Sequence, residues 1–257
     1  WPTASAALGR MMSATLMMAA MNKNNEKMTV TINGGGPIGT MMAVTRGDGH
    51  IKGFVGDPHV HYTYNDTGHL AVGVAVGTQG TLQVIRDMGL KEPYVGQTIL
   101  VSSEIAEDLT YYFATSEQVP SSVGLGVLMN KDNTVHCAGG FIVQVMPFIS
   151  DEVLDKLEEN IKKISSVTSM LDNGHTPEQM LEQVLDGLNV EFTDTMDTQF
   201  KCNCSHERIE KAIISIGKKD IQEMIDDGKE VEVKCHFCNT AYNYTVDELK
   251  ELLKKSR

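Results

Sequence analysis

The spacing of apolar and polar positions changes near residues 148 and 197 and divides the chain into three stretches. From Thr3 to Met21 small and apolar residues run without proline, and Leu8, Met12, Leu16 and Met17 share one helical face. The polar run Asn22-Lys23-Asn24-Asn25 ends this helix. A segment so apolar on all sides reads as a buried helix. The alternative is an adaptable surface, because methionine side chains are flexible and eight of the fifteen methionines precede residue 43.

Beyond it the period shortens to two. Met28-Thr29-Val30-Thr31-Ile32 and Thr40-Met41-Met42-Ala43-Val44 predict two strands around Asn33-Gly34-Gly35-Gly36-Pro37-Ile38-Gly39. The glycines satisfy the spacing of a dinucleotide loop, but that chemistry needs a helix N-terminus to follow, and a strand follows instead, so a hairpin turn is predicted. Further β-like segments are read at 51–55, 59–64, 73–76, 81–85, 97–101, 124–128 and 135–145. One helix interrupts them, starting near Ser102 or Ser103 and stopping before Pro120.

Helical spacing returns after Met146-Pro147. Val153, Leu154, Leu157, Ile161, Ile164, Val167 and Leu171 mark one element closed by Asn173-Gly174. A second starts at the capping box Thr176-Pro177-Glu178-Gln179 and buries Met180, Leu181, Val184, Leu185 and Leu188. In the last stretch Ser205 caps a helix stopped by Gly217, and a shorter one ends at Asp226-Asp227-Gly228. Strands around Val231-Val233 and Tyr242-Tyr244 follow, then a helix capped from Thr245. The fold class is α+β: an N-terminal β-sheet domain with packed helices (1–148), a helical linker (149–197) and a small C-terminal zinc-binding domain (198–257).

The zinc assignment comes from the cysteines. Cys202-Asn203-Cys204 and Cys235-His236-Phe237-Cys238 are two hooks about thirty residues apart, and two such hooks supply the four thiolates of a tetrahedral zinc site. Five cysteines in 257 residues are too few for a secreted disulfide scaffold, and Cys137, far away in an apolar segment, reads as a small packed hydrophobe. His206 and His236 are read as supporting or surface residues because four sulfurs already complete the tetrahedron. Lys201, Arg208 and Lys234 stand close in sequence to the sulfurs and are expected to offset their charge. Four thiolates leave no open position for water, which argues against zinc hydrolysis.

Other candidate chemistry is weaker. His59-Val60-His61 places two imidazoles on one strand face without a third ligand, and Ser102-Ser103 and Ser121-Ser122 lack a nucleophile elbow. No catalytic constellation is found, so the chain is not read as an enzyme. A net charge of -12 argues against nucleic acid as a partner. The run Met11 to Met21 is too short to cross a bilayer and lacks a signal peptide's basic start, so no membrane partner and a soluble, cytoplasmic protein are expected. The start at Trp1 leads to the expectation that a preceding segment is missing.

Thiolates are also what oxidants attack. A sulfenic acid captured by the nearest thiol gives a disulfide, which is no longer an anionic ligand, and the shortest loops join Cys202 to Cys204 and Cys235 to Cys238. A zinc ribbon that binds nucleic acid or a protein partner is the alternative use of the same cysteines. The C-x-C and C-x-x-C order, with Trp1-Pro2-Thr3-Ala4, Gly34-Gly35-Gly36-Pro37-Ile38-Gly39, Glu104-Ile105-Ala106-Glu107-Asp108-Leu109 and Ser116-Glu117-Gln118-Val119-Pro120-Ser121, resembles the redox-regulated heat-shock holdase family, the 33 kDa chaperonins. The resemblance implies a cytoplasmic, ATP-independent chaperone for unfolded or partly folded client proteins. It further implies one zinc ion on Cys202, Cys204, Cys235 and Cys238 in the reduced, inactive form, and a disulfide-bonded homodimer in the active one. A linker at about residues 149–197 that unfolds on activation, and an extra strand and helix ahead of the Trp-Pro motif, are also implied.

Overall fold

The computed structural model describes residues 1–22, 26–64, 66–164 and 166–256. The chain divides into two compact units, Trp1–Phe200 and Lys201–Arg257. The first opens with helix α1 (Pro2–Ala20), started by proline in its first turn, where a missing N–H costs nothing. Residues 23–25 of the polar run expected to end it lie outside the described residues. Strands β1 (Lys27–Asn33), β2 (Met41–Thr45) and β3 (His50–Val55) form an antiparallel meander.

Helix α2 (Val72–Val76) precedes β4 (Thr81–Asp87), which pairs with the far side of β1, and β5 (Tyr94–Ile99) adds the edge. Helix α3 (Ala106–Tyr112) runs on into a single π-turn, and β6 (Ser121–Met129) and β7 (Val135–Gln144) form a separate hairpin. Helices α4 (Asp151–Lys163), α5 (Val167–Asp172) and α6 (Pro177–Val184) follow. The short β8 (Gln199–Phe200) then joins β3 in parallel, giving the sheet order β5-β4-β1-β2-β3-β8.

Strand residues alternate sides, so Met28, Val30 and Ile32 of β1, Met41 and Ala43 of β2, and Leu82 and Val84 of β4 all enter the core on one face. Helix α1 lies on that face and touches the β6–β7 hairpin as well. It is thus buried as the composition implied, but its innermost stripe is not the predicted one. Ala4, Ala7, Met11, Ala14 and Met18 are buried, while Leu8, Met12, Leu16 and Met17 are half-buried. Small residues let two layers approach the helix at once. Gly53 on β3 yields to Leu8 and Met12, where a Cβ would stand 3.0 Å from one and 3.2 Å from the other.

The glycine run is a turn, and tertiary packing explains its composition. The Gly36 amide donates to the Val76 carbonyl and that of Ile38 to Ala75, and a Cβ on Gly36 would meet the Ala75 carbonyl oxygen at 2.4 Å. The same contact overturns one expected strand, because 73–76 lies within α2; a short apolar run does not declare its period. Residues 59–64 are likewise loop rather than strand. The Thr3 hydroxyl accepts from the Tyr62 amide and donates to its carbonyl, and the pairing that remains is a single antiparallel bridge of Thr63 with Leu70, in which the Tyr62 carbonyl also accepts from the Ala71 amide.

Strand β5 starts three residues earlier than predicted, and α3 starts at Ala106. Asp108 is the reason for the late start. Its fully buried carboxylate accepts from the amides of Val101, Ser102 and Ser103 through Oδ1 and from Ile105 through Oδ2. These bonds hold Ser103 and Ile105 at φ 65° and 63°, outside helical geometry. The periodicity over 153–171 belongs to two helices rather than one. Ser166 caps α5 by accepting from the Ser169 amide, and Ile164 is extended at the end of α4. With α6 these helices bury Leu157, Val167, Met170, Met180 and Val184 against Phe141 of β7.

The second unit contains α7 (His206–Ile216), α8 (Lys218–Asp226), β9 (Val231–Lys234), antiparallel β10 (Ala241–Tyr244) and α9 (Val246–Lys255). Ser205 and Thr245 cap their helices as expected, Thr245 in a full capping box with Glu248. Ile213, Ile221, Tyr244, Leu249 and Leu252 form the core.

Candidate metal centre and its family

The first hook lies just before α7. Ser205 ends it by accepting the Arg208 amide, and Arg208 reaches back to donate to the Asn203 carbonyl at 3.2 Å, bracing the residue between the two cysteines. The second hook is the turn between β9 and β10. The Cys235 amide donates to the Thr240 carbonyl, the Asn239 amide to the Cys235 carbonyl, and Asn239 adopts φ 58°, which asparagine tolerates. Antiparallel pairing of β9 and β10 closes this turn, and the local helix caps fix the other.

All four sulfurs come together, within 4.8 Å of one another, and among the described residues they form the one group of three or more candidate metal ligands. The five cysteines are free thiols. Sulfurs tetrahedral about zinc at about 2.3 Å stand about 3.8 Å apart. Cys202 and Cys235 are 3.7 Å apart and Cys204 and Cys238 3.3 Å, so the donor set fits a zinc ion in chemistry and spacing. Cys235 is buried and the other three are half-buried. Burial pushes the Cys202 thiol up to about 12, while hydrogen bonds from the Thr240 side chain and amide bring Cys238 down to about 6.

The expected neighbours take different parts. Lys234 lies 3.0 Å from Glu232, and Arg208 serves the hook backbone, so neither cation is aimed at the sulfurs. His206 stays off the cluster as predicted. Its ring packs against Tyr242 and Tyr244, with centroids at 6.1 and 4.9 Å, and Nδ1 meets Glu210. His236 is exposed. His59 and His61 sit on a loop beside the Trp1 ring, and among the described residues they join no group of three ligands. Cys137 is half-buried on β7, its thiol raised by burial and then by nearby Asp172.

Two polar neighbours of the cluster were not anticipated. The Tyr242 hydroxyl donates to Cys204 Sγ at 3.1 Å, and the Thr240 hydroxyl lies 3.2 Å from Cys238 Sγ. The signal was available in the alternation of Thr240, Tyr242 and Tyr244 just after the second hook, which sends three hydroxyls to one side of an extended segment.

Comparison with known proteins agrees with this centre. The family profile described as Hsp33 protein matches residues 1–245. The chain belongs to the Hsp33 family. Among curated Hsp33 relatives, the 33 kDa chaperonin of Lachnoclostridium phytofermentans is 55% identical over 256 residues, 99% of this chain and 87% of that protein. That of Staphylococcus carnosus is 50% identical over 255 residues, again 99% and 87%. The crystal structure of the Thermotoga maritima 33 kDa chaperonin matches with a TM-score of 0.90 at 38% identity, covering 98% of this chain and 86% of that one. Hsp33 proteins are redox-regulated chaperones, non-enzymatic holdases for unfolded clients, and a four-cysteine cluster is typical of their zinc site. Among the described residues no helix is long and apolar enough to cross a membrane.

Proposed function

We propose that Cys202, Cys204, Cys235 and Cys238 are both the zinc ligands and the redox switch of a cytoplasmic holdase. The observation that carries this is the convergence of two distant hooks on one cluster of four sulfurs. When bound, zinc cross-links the hooks and keeps the sulfurs as thiolates. The hooks join the N-terminal end of α7 to the β9–β10 turn, so the cross-link ties together a unit whose own core is small.

Oxidation works on the sulfurs themselves. Peroxide converts one thiolate to a sulfenic acid with release of hydroxide, and a second thiolate attacks that sulfur, forming the disulfide and expelling a second hydroxide. Short loops favour Cys202 with Cys204 and Cys235 with Cys238. Contacts of 3.7 and 3.3 Å join sulfurs of different hooks, and all four sulfurs lie within 4.8 Å, so distance leaves the within-hook pairing accessible as well. Disulfides supply no anionic ligand, so the oxidised hooks are no longer cross-linked.

The helical segment 149–197 is proposed as the linker that opens with them. Its helices are short, and isolated helices of such length are marginal in water, so they depend on burying a few apolar residues. Opening exposes Leu157, Ile161, Met170, Met180, Val184 and Leu188, a surface suited to unfolded clients. The oxidised form is proposed to be a homodimer. Peroxide with mild heating should release one zinc per chain and suppress aggregation of an unfolding client, and Cys202→Ser should remove the oxidant dependence. Zinc release without any change in client aggregation would overturn the reading.

A further inference from the structure

Thr240, the residue before β10, and Tyr242 and Tyr244 on β10 alternate along one run of chain whose hydroxyls reach from the second hook to the start of α7. The first two hydroxyls reach sulfur, Thr240 at Cys238 and Tyr242 at Cys204, one in each hook. The third reaches the His206 carbonyl at 3.4 Å. A metal-bound thiolate carries no proton, so in the reduced centre each neighbouring hydroxyl must be the donor. Hydrogen bonds donated to a ligand sulfur withdraw electron density from the lone pair that an electrophile would attack, as outer partners tune metal ligands generally. We propose that these two hydroxyls set the oxidation threshold of the switch, with the Tyr242 hydroxyl restraining Cys204 and the Thr240 hydroxyl restraining Cys238.

The placement of Tyr242 is fixed by more than its hydrogen bond. Its ring is edge-on to His206 at 6.1 Å, and its backbone pairs with Val233 of β9. Removing the oxygen therefore leaves the ring held. The step affected is attack of the Cys204 thiolate on peroxide, in which sulfur supplies the electron pair to one peroxide oxygen and hydroxide departs. Without the donated hydrogen bond this attack is faster, and the disulfide forms at a lower dose of oxidant.

This inference rests on the assignment of the four cysteines as ligands and switch, and the test separates the two. The reduced, zinc-loaded full chain is mixed with excess hydrogen peroxide and zinc appearance is followed with a chromogenic chelator. Tyr242→Phe should release zinc several-fold faster than wild type, Thr240→Ala should also be faster, and Tyr244→Phe, whose hydroxyl serves a carbonyl, should match wild type. Trapping of sulfenic acids followed by peptide mass spectrometry should show a larger share on Cys204 in Tyr242→Phe. Equal peroxide-driven rates in wild type and Tyr242→Phe overturn the proposal, as does a variant that loses zinc equally fast without peroxide. A wild-type protein that binds no zinc overturns the ligand assignment beneath it.

Discussion

Residues 1–200 bury a continuous core from Ala4 and Met11 on α1 through Met28, Ile32, Met41 and Leu82 of the sheet to Leu109 and Tyr112 of α3, whereas residues 201–257 bury little beyond Ile213, Ile221, Tyr244, Leu249 and Leu252. The larger unit also spends its buried charge on architecture, as Asp108 does in holding four amides. The smaller unit places its polar chemistry in four sulfurs. Where burial is ample, side-chain oxidation has little to undo. Where a short segment depends on a cross-link, the chemistry of the cross-linking atoms governs whether the segment is folded at all.

The sharpest test of this contrast is metal removal. Chelation under reducing conditions, or Cys238→Ser, should abolish amide-exchange protection in α7, α8 and α9 while β1, β2 and β4 remain protected. Zinc binding in small thiolate sites is worth on the order of 10 kcal/mol, more than so small a core supplies. Retained protection in the metal-free C-terminal unit would erase the difference between the two regions.

The converse experiment attacks the larger unit alone. Asp108→Ala strands four amide donors, those of Ser103 and Ile105 on buried residues, and at about 1–3 kcal/mol for each unsatisfied buried group the loss should be about 2–6 kcal/mol. Thermal unfolding of the sheet unit should shift down while zinc content stays at wild-type level. A smaller effect is expected at the capping box of α6, where the Thr176 hydroxyl accepts from the Gln179 amide and the Gln179 side chain accepts from the Thr176 amide. Thr176→Ala should cost about 1 kcal/mol, read as faster amide exchange over 177–184, and should lower the peroxide dose at which client aggregation is suppressed.

Acid should also distinguish the two regions. Thiolate ligands bind metal only when deprotonated, so acidification should dismantle the C-terminal unit before the sheet unit. In the sheet unit, hydrogen bonding to the His50 side chain holds the Asp48 carboxyl below its ordinary 3.8. A depressed carboxylate contributes its stability above the unfolded value, and that contribution disappears as pH falls through the folded one. Asp48→Asn should therefore flatten only the lowest-pH part of the sheet unit's unfolding curve, the smallest of these effects.

Much of this contrast is readable in the chain. Cys202-Asn203-Cys204 and Cys235-His236-Phe237-Cys238 announce their chemistry because a metal site needs its ligands in short hooks, and Ser205, Thr176 and Thr245 mark helix starts because a capping oxygen acts within three residues. The same locality explains why β1, β2, β9 and β10 fell where alternation placed them. The misplaced elements depend on distant partners. Residues 73–76 curl into a helix against the glycine turn, 59–64 keep only the bridge of Thr63 with Leu70 while the Tyr62 amide goes to Thr3, and Asp108 delays α3.

Sequence by itself determined the types of the strongly periodic elements, their caps and the four sulfurs, since each is written in residues a few positions apart. Tertiary structure decided which stripe of α1 is innermost, where the short apolar runs went, and that the Thr240 and Tyr242 hydroxyls stand against the sulfurs. These outcomes depend on which surfaces compete for the same neighbour, and that competition is settled only when segments far apart in the chain are packed together.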